Sequence, residues 1–180
     1  MSMKHMFNPK TLVIDKVPTK TVIAKLMVFA GFLSVATILP AFIHQQFITG
    51  PIVNAILFAS TIILGTEAAI MIGLIPSLIA LSFGLLSPVL APMVPFIMMS
   101  NALLVMIFGS LQKKNYWISM ISAGVLKFLF LFATSSIVIS LLLKKEVATK
   151  VAQMMSWPQL ITAFMGGLIA FLIIKAIKKN

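Results

Sequence analysis

Apolar and polar positions alternate along this chain in long blocks. A membrane-crossing helix needs about 20 apolar residues to span a hydrocarbon core of about 30 Å. The first apolar run covers 21–43, with Pro40 near its end. His44, Gln45, Gln46 and Thr49 interrupt it, and Gly50-Pro51 follows as a strong breaker. The second run, 52–65, is the shortest, so the second helix is expected to be tilted or to begin inside the preceding turn. Thr66-Glu67 marks the next interface, and a third run covers 68–86. Pro88, Pro92 and Pro95 then remove helix donors and force a turn. That turn is apolar and is expected to pack on the protein. The fourth run, 96–111, ends at Gln112-Lys113-Lys114-Asn115. The fifth, 116–143, opens with Tyr116-Trp117, a pair suited to anchoring at the interface. A polar link, 144–150, leads to the sixth run, 151–177. The pattern predicts an all-α, polytopic membrane protein with six transmembrane helices. Residues 1–20 form a polar N-terminal segment and 21–180 a single transmembrane domain.

Composition agrees with lipid burial. The 180 residues are 61% hydrophobic and 9% charged, against about 25% charged in soluble domains. A soluble fold of this size has too much surface to hide so many apolar groups. The net charge of +11 reads as topology marking, because the lysines cluster at the ends of apolar runs. Nucleic acid is therefore not expected as a partner. With the N-terminus inside, Lys4, Lys10, Lys16, Lys20, Lys25, Lys113, Lys114, Lys175, Lys178 and Lys179 are cytoplasmic, and only Lys144, Lys145 and Lys150 face outside. This favours N-in and C-in, in a cell membrane and most simply a bacterial plasma membrane. The start lacks the apolar core of a cleaved signal, so the first run is expected to be retained.

Chemistry is sparse. Cysteine is absent, which removes disulfides, thiolate catalysis and cysteine metal sites. His5 and His44 form no metal spacing, so no metal is expected. Lys127 is the exception within the apolar runs. It lies eleven residues after Tyr116, roughly 16 Å along a helix. A cation near mid-membrane costs at least about 2.5–3.5 kcal/mol and usually marks function. Snorkelling to the interface is the alternative. Glu67, at an inner helix end, reads as a solvated carboxylate rather than its counter-ion. An anionic ligand would be a natural partner.

Asn101 is open to two readings, helix locking or ligand contact, and Gln159 to a helix-end hydrogen bond or ligand contact. Asn54, Ser60 and Thr61 read as packing glue between helices. His44, Gln45, Gln46 and Thr49 fall on the same outer side as Asn101 and Gln159. With Lys127 deeper, they would line a cavity opening outward, apolar with a few converging polar groups. On the first helix, Ala30, Gly31 and Ser34 place small residues where another helix can approach.

Several stretches together resemble the substrate-binding S component of energy-coupling factor (ECF) transporters. They are Thr49-Gly50-Pro51-Ile52-Val53-Asn54-Ala55, Gly73-Leu74-Ile75-Pro76-Ser77-Leu78-Ile79-Ala80, and Ala91-Pro92-Met93-Val94-Pro95-Phe96 leading to Asn101. The resemblance spans about residues 21–177. It implies high-affinity capture of a vitamin-like micronutrient near the outer face. Delivery would follow with a transmembrane coupling subunit and two cytoplasmic ATPases. It places ligand contacts at Gln46, Asn101, Lys127 and Gln159, with His44 beside them. It places partner contacts at Ala30, Gly31 and Ser34, although Ser34 stands where the family more often has alanine. The first outer loop is short for a lid, so the lid is expected from 89–94.

The chain has no G-x-x-x-x-G-K-[ST] phosphate loop. Any ATP must be used by other subunits, and no cofactor is expected on this chain. Two other classes remain. A stand-alone secondary transporter or membrane adaptor would work without ATPases, but no paired repeat is evident. An intramembrane enzyme would need a base for Ser77, Ser82, Ser100 or Ser119, and Lys127 is the one candidate for a Ser–Lys pair. The residues favour a protein that is not an enzyme.

Overall fold

The computed structural model describes residues 22–43, 45–84, 88–142 and 145–179. The expected cytoplasmic segment 1–20 lies outside the described residues, as does His44.

The described chain is helical throughout: α1 (Val22–Phe42), α2 (Gln46–Ile63), α3 (Thr66–Ser82), a 3-10 helix (Pro88–Met93), α4 (Val94–Leu111), α5 (Tyr116–Leu142), α6 (Lys145–Met154) and α7 (Trp157–Lys179). Five of these, α1, α2, α4, α5 and α7, are long and apolar enough to cross a membrane. α3 is apolar but has only 17 residues. The protein is thus a multi-pass membrane protein.

The second helix begins inside the preceding turn, one of the two expectations for it: α2 starts at Gln46, upstream of the Gly50-Pro51 breaker. Ile48 and Thr49 already donate to the Gln45 carbonyl at 3.0 Å, closing the first turn upstream. Pro51 then lacks only the donor that would have met the Phe47 carbonyl, close to the helix end. The short helix is therefore α3, not the second. α3 is bounded by Gly65 (φ +97°) and Gly84 (φ +66°), backbone conformations that favour glycine. The polar link also departs, because its residues 145–150 are not a loop. They belong to α6, which takes the first residues of the expected sixth run. α6 is amphipathic: Thr149, Ala152 and Gln153 are exposed, whereas Val151 packs with Met93, Leu131, Val138 and Met155. Pro158 then sits in the first turn of α7, where a missing N–H costs nothing.

The core lies where α2 and α7 run side by side. An added Cβ at Gly166 would sit 2.6 Å from Asn54 Cβ and 2.8 Å from the Pro51 carbonyl oxygen. Only glycine permits that approach. Toward the far ends of α2 and α7 the core becomes aromatic. Phe58 meets Phe108 edge-on at 4.7 Å, and Phe108 meets Tyr116 at 5.4 Å. Tyr116 is fully buried and its hydroxyl donates to the Gly167 carbonyl at 2.6 Å. The expected interfacial anchor is thus corrected at Tyr116. Trp117 is partly buried against Phe171, but Tyr116 is a core residue. A phenol at the start of an apolar run satisfies its hydroxyl equally well in headgroups or on an exposed carbonyl.

α1 differs from the rest. Ala36 is its one buried residue, and Ile23, Leu26, Met27, Ile38 and Phe42 face outward.

Candidate functional site

A cavity of about 200 Å³ opens between α1, α2, α3, α4, α5 and α7. It lies at the end where α1 finishes and α2 and α7 begin. Ala36, Thr37, Pro40 and Ala41 bring the last turns of α1 to it. Val53, Ile72, Pro76, Val94 and Ile97 give apolar walls. The aromatic cluster closes the opposite end of the bundle.

Lys127 lies at the cavity's base. It is only 4% exposed, and its Nζ donates to Asn54 Oδ1 and Asn101 Oδ1, each at 2.7 Å. Both asparagines are themselves oriented. Asn101 Nδ2 donates to the Gly73 carbonyl at 3.1 Å, and Asn54 Nδ2 reaches Thr162 Oγ1 at 3.5 Å. Gly73 allows this closeness, because a Cβ there would lie 3.1 Å from Asn101 Cβ. Each bond to a charged group is worth about 1.5–3 kcal/mol. Two of them offset a large part of the cost of holding a cation in the apolar interior. Lys127 therefore does not snorkel. It is held by neutral dipoles, with no carboxylate beside it among the described residues. Glu67 is exposed at the start of α3, at the other end of the bundle, as the sequence suggested.

The rim is amide as well. Gln46 Nε2 and Gln159 Nε2 both donate to the Met154 carbonyl, at 2.8 and 3.2 Å. This last carbonyl of α6 ties the starts of α2 and α7 together. Phe47 and Trp157 flank it, with ring centroids 5.8 Å apart.

Of the expected binding residues, Lys127, Asn101, Gln46 and Gln159 all line this one cavity. His44 is outside the described residues. Asn54 extends the sequence reading: besides reaching Thr162 on α7, as glue between helices would, it accepts from Lys127. Ser60 and Thr61, expected as glue between helices, each donate instead to the Leu57 carbonyl of their own helix. Ala30, Gly31 and Ser34 are exposed on α1 and line no part of the cavity. The expected lid, 89–94, falls largely in the 3-10 helix, and Val94 reaches the cavity wall.

Ser100 and Ser119 donate to main-chain carbonyls of their own helices, Ser100 to Ile97 and Ser119 to Asn115 and Tyr116. Among the described residues no serine hydroxyl lies within hydrogen-bond distance of Lys127 Nζ, and no cluster of metal-ligating side chains forms. No protein-family model, no curated protein and no solved structure matches this chain.

Proposed function

We propose that this protein is the membrane-embedded, substrate-binding subunit of an ECF-type ATP-driven importer. One observation carries the reading. The three stretches that resemble S components, 49–55, 73–80 and 91–101, are far apart in sequence, yet all contribute to one cavity. Gly50 and Asn54, Gly73 and Pro76, and Val94 and Asn101 line it together. Lys127 supplies its single deep charge.

In this reading six helices cross the membrane, α3 being the shortest, with N-in and C-in topology. Lys25, Lys113, Lys114, Lys175, Lys178 and Lys179 all lie on helix ends away from the cavity, so the positive-inside rule turns the cavity outward. The substrate enters from outside and settles above Lys127. Ala30, Gly31 and Ser34, on the sparsely packed α1, meet the coupling subunit. Two cytoplasmic ATPases supply the energy, since this chain has no phosphate loop.

Co-expression with candidate coupling and ATPase subunits tests the reading. The complex should copurify, and proteoliposomes should take up substrate only with ATP. Uptake by this chain alone, without ATP, would favour a stand-alone secondary transporter instead.

A further inference from the structure

The polar groups of the cavity are directional, and their directions limit what fits. Lys127 Nζ carries three N–H bonds as a cation. Two go to Asn54 and Asn101, and among the described residues nothing accepts the third. At the rim, Gln46 and Gln159 spend amide N–H donors on the same Met154 carbonyl. That fixes which way both amides face. Each amide keeps its second N–H and its Oε1 acceptor, and no donor meets either oxygen among the described residues.

The cavity thus presents a donor at its base and amides with both acceptors and spare N–H groups at its rim, with apolar walls between. Gln159 is one helical turn before Thr162, which meets Asn54, and Gln46 is two turns before Asn54. Base and rim are therefore separated by roughly 5–12 Å along the helices. The lining residues include one cation and no carboxylate. A carboxylate entering here makes a charge-assisted bond and neutralises a charge that the fold holds with dipoles alone. A cation meets like charge at low dielectric.

Resting on the substrate-binding reading above, we infer that the cavity takes a compact carboxylic acid, carboxylate first onto Lys127 Nζ. Its far end carries an N–H or O–H donor for the Gln46 and Gln159 carbonyls, and cations are rejected.

A set of near-isosteric probes tests this on the full chain in nanodiscs, by equilibrium dialysis. N-Acetyl-6-aminohexanoate has the carboxylate and a distal N–H. Its methyl ester removes the charge, N-acetylcadaverine replaces it with a cation, and 8-oxononanoate replaces the N–H with CH2. The acid should bind saturably, one per chain, and at least about tenfold tighter than the ester or the cation. It should bind about three- to tenfold tighter than 8-oxononanoate. Lys127→Met should erase the preference for acid over ester. Asn101→Asp keeps the side-chain shape and gives Lys127 an internal counter-ion, so acid binding should fall at least about tenfold even if Lys127→Met fails to fold. Gln46→Leu with Gln159→Leu should erase the N–H preference and keep the acid preference.

Ester or cation binding as tightly as the acid in the wild type would overturn the inference. So would an acid preference that survives Lys127→Met or Asn101→Asp, or an acid that shows no saturable binding. ATP-driven uptake of a neutral or cationic substrate would sink this ligand chemistry and leave the importer standing. Acid-selective binding without any energised partner would do the reverse.

Discussion

The two ends of the bundle are built on the same pair of helices and differ in kind. At one end Phe58 of α2 and Gly167 of α7 pack with Phe108 of α4 and Tyr116 of α5, whose hydroxyl donates to the Gly167 carbonyl. At the other, the same two helices stay tightly packed, Gly50 against Thr162 and Asn54 against Gly166, and Asn54, Gln46 and Gln159 line the cavity beside that contact. Close packing fixes the first end. Amide dipoles fix the second, because a cation within the apolar interior needs oriented oxygens. One end is a clamp and the other a candidate site, and under the importer reading the difference separates stability from binding.

The strongest way to break that comparison is to push the shared helices apart. Gly166→Val adds atoms where a Cβ alone meets Asn54 Cβ and the Pro51 carbonyl. It is expected to cost about 3 kcal/mol or more and to lose folding and binding together. A thermal melt in nanodiscs reads it. Tyr116→Phe acts on the clamp alone. It removes the bond to the Gly167 carbonyl and should cost about 1–2 kcal/mol while ligand affinity stays the same. A parallel loss of affinity would mean the two ends are coupled.

The smallest effect on stability belongs to α1. A Cβ at Gly31 would meet nothing within 4 Å, so Gly31→Leu should change stability by less than about 1 kcal/mol. Under the importer reading it should nevertheless weaken copurification with the coupling subunit, because a bulky side chain holds a second helix away. Unchanged copurification would remove α1 as the partner face.

Much of the site was legible in the sequence. Lys127 declared itself by depth, since few apolar runs carry a cation eleven residues from their start. Asn101, Gln46 and Gln159 followed as polar groups on one side of the apolar blocks. Asn54 was missed because an amide in an apolar run looks the same whether it locks helices or holds a cation. Its partner is 73 positions away, brought to it only by the packing of α2 against its neighbours. Tyr116 was misplaced for a similar reason, since its hydroxyl finds an acceptor in the core only because Gly167 has no side chain to cover its carbonyl. The apolar runs of the fold were legible, but α6 was not. Its apolar face is narrow, and its lysines read as a loop until Val151 and Met155 are seen packed on Met93.

The central claim is that the amide-lined cavity above Lys127 is where a small molecule is held. Native mass spectrometry of the gently purified chain, beside a folded Lys127→Met sample, tests it most directly. The account predicts one retained small molecule per wild-type chain, with a carboxylate in its composition, and an empty mutant. Equal retention in both samples, or only lipid on either, would contradict it.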